Sequence, residues 1–148
     1  MKRARTEPDR HPFRPKDEVY QGRIPSRLEN RERVIQDVLR SLEAAGCRPD
    51  PFFDRLCLDE MISNAILHGN RQDPDKAVTV RAFSSRDRWG FEVADEGPGF
   101  DWEKVLEGLK DPPERGRDSG RGLALVISSG AEVHFLEGGR RVVVMRRM

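Results

Sequence analysis

An α+β domain, a largely antiparallel sheet with helices packed on one face, is the fold class that three patterns in the 148-residue sequence predict. Two segments, one after Ser26 and one after Asp50, carry apolar residues at helical spacing and run out at Gly46 and Gly69. Five shorter segments alternate apolar and polar side chains as half-buried strands do. The last two of them face each other across Gly138-Gly139, a hairpin signal.

Taken in order, residues 1–16 read as a disordered basic arm. Six basic side chains (Lys2, Arg3, Arg5, Arg10, Arg14, Lys16) face only Glu7 and Asp9, with Pro8, Pro12 and Pro15 among them. The arm is either a solvated tail or a contact for some partner. Residues 17–148 form the domain. Residues 18–24 alternate as a strand, placed at a sheet edge because Pro25 follows. Ser26-Arg27-Leu28-Glu29 has the form of a capping box. The helix it opens presents Val34, Ile35, Val38, Leu39, Leu42 and Ala45 on one face.

The central segment runs from Asp50, a helix cap followed by Pro51, to Gly69. At about 100° per residue, Leu58, Met61, Ile62 and Ala65 fall on one side and Phe53, Leu56, Cys57 and Leu67 on the other, which predicts a mostly buried helix. Glu60 and Asn64 stack one turn apart inside the apolar surroundings rather than in the polar strip of Arg55, Asp59 and Ser63. Burying a carboxylate and an amide costs several kcal/mol unless something pairs with them. They face a polar ligand or satisfy one another beside a neighbouring loop.

Residues 77–83 alternate with Val78, Val80 and Ala82 inward. In the strand over 89–95, Trp89, Phe91 and Val93 share a face, and Asp95 continues it. A carboxylate thus reaches the core side just before Glu96-Gly97-Pro98-Gly99, where glycines let the backbone turn sharply and a flat ligand approach. The other reading is a capping aspartate before an ordinary turn. Residues 102–109 fit one or two helical turns, and 110–121, with Pro112, Pro113 and no apolar periodicity, reads as a lid. Gly120-Arg121-Gly122 opens a short apolar helix from Leu123. Its free N–H groups make an anion site, unless the glycines mark only a close backbone crossing.

Composition narrows the function classes. With 36% hydrophobic and 36% charged residues, there is no apolar run near the roughly 20 needed to span a bilayer. The charged N-terminus has no signal-peptide form, so cytoplasm is the expected location. A net charge of +1 supplies no global field for nucleic acid, and direct nucleic-acid binding rests on the arm alone. Cys47 and Cys57 lack CxxC spacing and read as reduced thiols, and no Cys/His cluster has zinc spacing.

Together the three polar motifs resemble those of the GHKL (Bergerat-fold) ATP-binding superfamily. Glu60-x-x-x-Asn64, extended to His68-Gly69-Asn70, is similar to its N box. Asp95-Glu96-Gly97-Pro98-Gly99 is similar to the D-x-G-x-G box, and Gly120-Arg121-Gly122-Leu123 to the second glycine box. The likeness covers residue 18 to the C-terminus. It is strongest to bacterial anti-sigma-factor serine/threonine kinases, an often dimeric family whose fold is a two-layer α/β sandwich. The resemblance implies ATP and Mg²⁺ as cofactors. Glu60 would be the catalytic base and Asn64 the Mg²⁺ ligand. Asp95 would accept from the adenine amino group beside Gly97 and Gly99, and Gly120, Arg121, Gly122 and Leu123 would hold the phosphates. It also implies partner switching, with phosphorylation of a STAS-type anti-anti-sigma protein and sequestration of a sigma factor or similar regulator. A nucleotide-binding regulatory module without phosphotransfer is the alternative. A histidine-kinase fragment fits less well, since His11 lies in a proline-rich arm. The sequence departs from many relatives in lacking a threonine in the closing strand, Arg141-Val142-Val143-Val144-Met145.

Overall fold

The computed structural model describes residues 4–5, 10–99 and 121–148. The expected helix at 102–109 and residues 110–120 of the expected lid, Gly120 included, lie outside the described residues; Arg121, expected to end that lid, is the first residue of a helix instead. Among the described residues six strands form one sheet: β1 (Ala4–Arg5), β2 (Glu18–Pro25), β3 (Ala77–Ser84), β4 (Arg88–Ala94), β5 (Glu132–Leu136) and β6 (Arg141–Arg147), in the order β1-β5-β6-β4-β3-β2. All pairings are antiparallel except that of the two-residue β1 with β5. The α+β expectation holds, and β2 is an edge strand that ends in the proline foreseen there.

Among the described residues three helices, α1 (Arg31–Ala44), α2 (Phe53–Asn64) and α3 (Arg121–Ser128), lie on one face. Val34, Ile35, Val38 and Leu42 of α1 and Leu58, Met61 and Ile62 of α2 close over Val78, Val80, Phe91 and Val144 of the sheet. This is the 3.6-residue stripe meeting the two-residue one. Cys57 is fully buried and Cys47 nearly so, and both are free thiols. Burial, aided by the negative charges of Glu60 and Asp54, pushes the Cys57 thiol well up and leaves it inert. Among the described residues no helix is long and apolar enough to cross a membrane.

The start of α1 differs from expectation. A short 3-10 turn, Leu28–Asn30, precedes it, and Ser26 does not cap. Its hydroxyl instead donates to the Lys76 carbonyl at 2.7 Å and accepts from the Asn70 amide at 3.0 Å. Two partners for a buried hydroxyl outcompete a cap on the turn. At the far end of α1, Ala45 is exposed rather than core. Asp50 does start α2, its Oδ1 accepting from Phe52 N and Phe53 N at 2.8 Å each.

α2 is anchored at its start by a residue that the sequence reading passed over. Asp54 is completely buried and accepts from Asp50 N at 2.6 Å and from Arg146 Nε at 3.0 Å. Arg146 pairs with Trp89 in the β4/β6 ladder, the opposite end from the Ala94–Arg141 pair. At the other end of α2, residues 65–69 wind into a π-helical turn closed by Asn70 N→Ala65 O at 2.8 Å. The wider turn changes the helix register just before Gly69 and Asn70.

The second face of the sheet is not bare. Residues 10–17 cross it, and Phe13, 6% exposed, stacks on Phe83 with ring centroids 5.0 Å apart. Both pack with Leu136, Val143 and Met145 in a second apolar cluster. The disordered arm expected over 1–16 is thus contradicted at Ala4–Arg5, which pair with β5, and at residues 10–16, because Phe13 finds there the apolar surface that its basic, proline-rich neighbours cannot use. Alongside, Glu92 is 1% exposed and bonded to His11 Nε2 at 2.7 Å and Arg81 at 2.8 Å, with Arg141 Nε 3.7 Å away. His11 Nδ1 accepts from Phe13 N at 3.0 Å, so the bond to Glu92 fits the Nε2–H tautomer.

Burial alone would raise the Glu92 carboxyl, but hydrogen bonds from His11 and Arg81 and the charge of Arg141 outweigh it and hold it below the ordinary glutamate value of 4.5. A lowered folded value means stability that is present above about pH 4.5 and is lost as pH falls toward the folded value. Asp54 and Asp95, whose values are raised mainly by burial, contribute the opposite slope. The test is thus a difference. Urea unfolding followed from pH 6 to pH 3 should show wild type losing stability on acidification faster than Glu92→Gln, and equal slopes would refute the assignment.

Candidate nucleotide site

The candidate site is built where the end of α2 meets the loop after β4. Asp95 is 7% exposed at the end of the β4 face that carries Trp89, Phe91 and Val93. Its own N–H is held by Arg140 O at 2.9 Å, and its Oδ1 accepts from Gly97 N at 2.8 Å. Its other oxygen, Oδ2, lies against Gly69, where any Cβ would overlap it. A Cβ on Gly97 would in turn overlap the Gly69 carbonyl. Two glycines thus let a helix end and a loop touch backbone to backbone with a carboxylate between them. Gly99, at φ +84, meets the turn at Gly138 in the same way.

Burial pushes the Asp95 carboxyl above the ordinary aspartate value of 3.8, a rise that the Gly97 bond and the charges of Arg140 and Lys76 only partly offset. One oxygen is committed inside the loop, which leaves Oδ2 as the acceptor for an outside donor.

Asn64, 5% exposed, is the last residue of α2, and Glu60 lies one turn earlier, half-buried. Gly69, which touches Asp95, is five positions beyond Asn64, and Glu60 is four positions before it, so along the axis Asp95, Asn64 and Glu60 follow one another at steps of roughly 6–7.5 Å. α3 packs against α2, so the helix that begins at Arg121 and Gly122 adjoins the one that carries Glu60 and Asn64. The backbone of Arg121, Gly122 and Leu123 forms the first turn of α3, while Gly120 is outside the described residues. Of the residues expected from the sequence, the structure brings Asp95, Gly97 and Gly99 into one loop against the end of the helix of Glu60 and Asn64.

A family model for the histidine kinase-like ATPase domain matches residues 24–147. The chain belongs to this family. Comparison with curated proteins returns no match. Domains of this family bind ATP, usually with Mg²⁺, and the residues present fit such a group: a buried amide at Asn64 and an acceptor at Asp95 Oδ2, held in place by the close contacts of Gly69 and Gly97. Among the described residues no cluster of three His, Cys, Asp or Glu could hold a metal. Mg²⁺ bound with a nucleotide commonly takes most of its ligands from phosphate oxygens and water, so a single protein oxygen such as that of Asn64 is compatible with it.

The end of α2 and the loop after β4 are joined through Asn70 and Glu96, two residues that the motif reading left without a role of their own. Asn70 bonds Ser26, Ala77 and Glu96. The Glu96 carboxylate accepts from Ala77 N and lies 3.5 Å from Arg23. The only signal in the sequence was the position of Asn70 directly after Gly69. In the closing strand the missing threonine is replaced by valines, of which Val142 and Val144 are core residues.

Proposed function

We propose that the protein is an ATP-dependent serine/threonine protein kinase of the anti-sigma-factor type. It phosphorylates a STAS-type anti-anti-sigma protein and, when that antagonist is absent, sequesters a sigma factor or similar regulator. The observation that supports this reading is the axial order Asp95, Asn64, Glu60 beside α2, the order in which the base and the metal-bound phosphates of an extended nucleoside triphosphate and the reacting hydroxyl would lie.

In this reading Asp95 Oδ2 accepts from the adenine amino group, and guanine offers no donor at that position. Asn64 holds Mg²⁺ with the phosphates, and Gly120, Arg121, Gly122 and Leu123 line the phosphate end. The bound metal and nucleotide supply charge neutralisation and the phosphoryl group, which is most of what such transfer needs. Glu60 orients the seryl or threonyl hydroxyl of the partner and takes its proton. Partner switching places the protein in the cytoplasm. The test is incubation with Mg-ATP and a STAS-domain protein, in which wild type labels the partner and Glu60→Gln does not.

A second reading, a nucleotide-set docking module without phosphotransfer, draws on the groove between α1 and α2. It encloses about 560 Å³ over Leu28, Ile35 and Leu56, and Phe52 stands at its edge 64% exposed. Its charges are already paired, Arg31 with Asp59 at 2.7 Å and Arg55 with Glu32, which leaves an apolar floor for a partner. Nucleotide and partner binding with no labelled partner would favour it.

A further inference from the structure

We propose that Asn70 is the positioning residue that sets Asp95 for base recognition; the inference rests on the reading of Asp95 as the adenine acceptor. Asn70 is 1% exposed and sits where α2 ends. Its side-chain orientation is forced by its partners. Ala77 O, 2.9 Å away, can only accept, and Glu96 N, 2.8 Å away, can only donate, so the amide nitrogen faces β3 and Oδ1 faces the loop. The second amide hydrogen goes to Ser26 Oγ at 3.0 Å, whose own hydroxyl donates to Lys76 O. One buried side chain therefore ties the end of β2, the start of β3, the end of α2 and the Asp95 loop together.

The bond to Glu96 N has a different consequence from the others. It fixes the peptide that joins Asp95 to Glu96, one link from the Asp95 side chain. Together with Arg140 O on Asp95 N and Asp95 Oδ1 on Gly97 N, it immobilises three successive amides of the loop. With those three held, the free oxygen of Asp95 has a single direction, over Gly69. The bonds to Ser26 and Ala77 hold Asn70 in place but do not touch the loop.

This division gives a test that separates positioning from general stabilisation. Binding of Mg-ADP and Mg-GDP is measured by calorimetry for wild type, Asn70→Ala and Ser26→Ala, with thermal unfolding alongside. Asn70→Ala should lower the preference for ADP over GDP about tenfold or more, the scale of one hydrogen bond lost at a buried acceptor. Ser26→Ala, which keeps the Glu96 bond, should lower the melting temperature and leave the preference unchanged. Should Asn70→Ala not fold, Asn70→Ser, whose hydroxyl is too short to reach Glu96 N, carries the same expectation. A preference that survives loss of Asn70, or one that falls equally in Ser26→Ala, overturns the inference while leaving the site reading intact. Wild type that binds ADP and GDP alike, or binds neither, defeats the Asp95 reading and this inference with it.

Discussion

Replacing Asp95 with asparagine should weaken binding of Mg-ADP by roughly ten- to a hundredfold or more, although the change is nearly isosteric. Gly97 N–H already claims one oxygen of the side chain at 2.8 Å. An asparagine would turn its carbonyl oxygen to that donor and present its NH₂ to the amino group of the base, two donors facing each other. The loss of a hydrogen bond to a charged acceptor, about 1.5–3 kcal/mol, is then joined by the cost of an unpaired donor. The same site should respond to pH. Because burial raises the Asp95 value above 3.8, the acceptor begins to protonate at a higher pH than an exposed aspartate would. Wild-type affinity should therefore fall as the solution is acidified, beginning above the usual aspartate range, whereas Asp95→Asn should show no such step. Calorimetric titrations at several pH values check both parts, and a pH-independent wild type would contradict the assignment.

Replacing Glu60 with glutamine should lower phosphotransfer to a STAS partner by about 10²- to 10⁴-fold, the usual contribution of a positioned general base, with Mg-ADP affinity changed little. Glu60 lies on the far side of Asn64 from Asp95, about 13–14 Å along the helix from Gly69, so it is remote from the base and near the reacting end. Binding and chemistry should thus separate between the two variants, Asp95→Asn failing to bind and Glu60→Gln binding without transfer. Equal rates for Glu60→Gln and wild type would remove Glu60 from the mechanism. Loss of nucleotide binding in Glu60→Gln would make it a binding residue instead.

What could be read in advance was whatever is local. The helical stripe of Val34, Ile35, Val38 and Leu42, the parity that carries Asp95 to the core side of β4, and the hairpin at Gly138-Gly139 each depend on spacing within a few residues. The structure has all of them. Features that depend on distant partners were hidden. Asp54 lies four residues before Leu58 and seven before Met61, so its spacing marked it as inward, but its partner Arg146 is 92 residues away. Glu92 looked like the polar side of a strand because His11, which buries it, is 81 residues earlier in a segment whose composition suggested disorder. Ser26 satisfied a capping rule and was drawn instead to Asn70 and Lys76. The π turn over 65–69 left no trace, since an apolar run there suits an ordinary helix equally well. At the site, the chemical groups were legible and their clamp was not: Asp95, Asn64 and Glu60 stood out as polar residues in apolar company, while Asn70 read only as the end of a motif.

The most direct measurement is a calorimetric titration of the purified protein with ADP in the presence of Mg²⁺. One saturable site per chain, abolished or strongly weakened in Asp95→Asn, is the predicted result. No saturable binding by wild type, or equal affinity in Asp95→Asn, would contradict the claim that the end of α2 and the loop after β4 form an adenine nucleotide site.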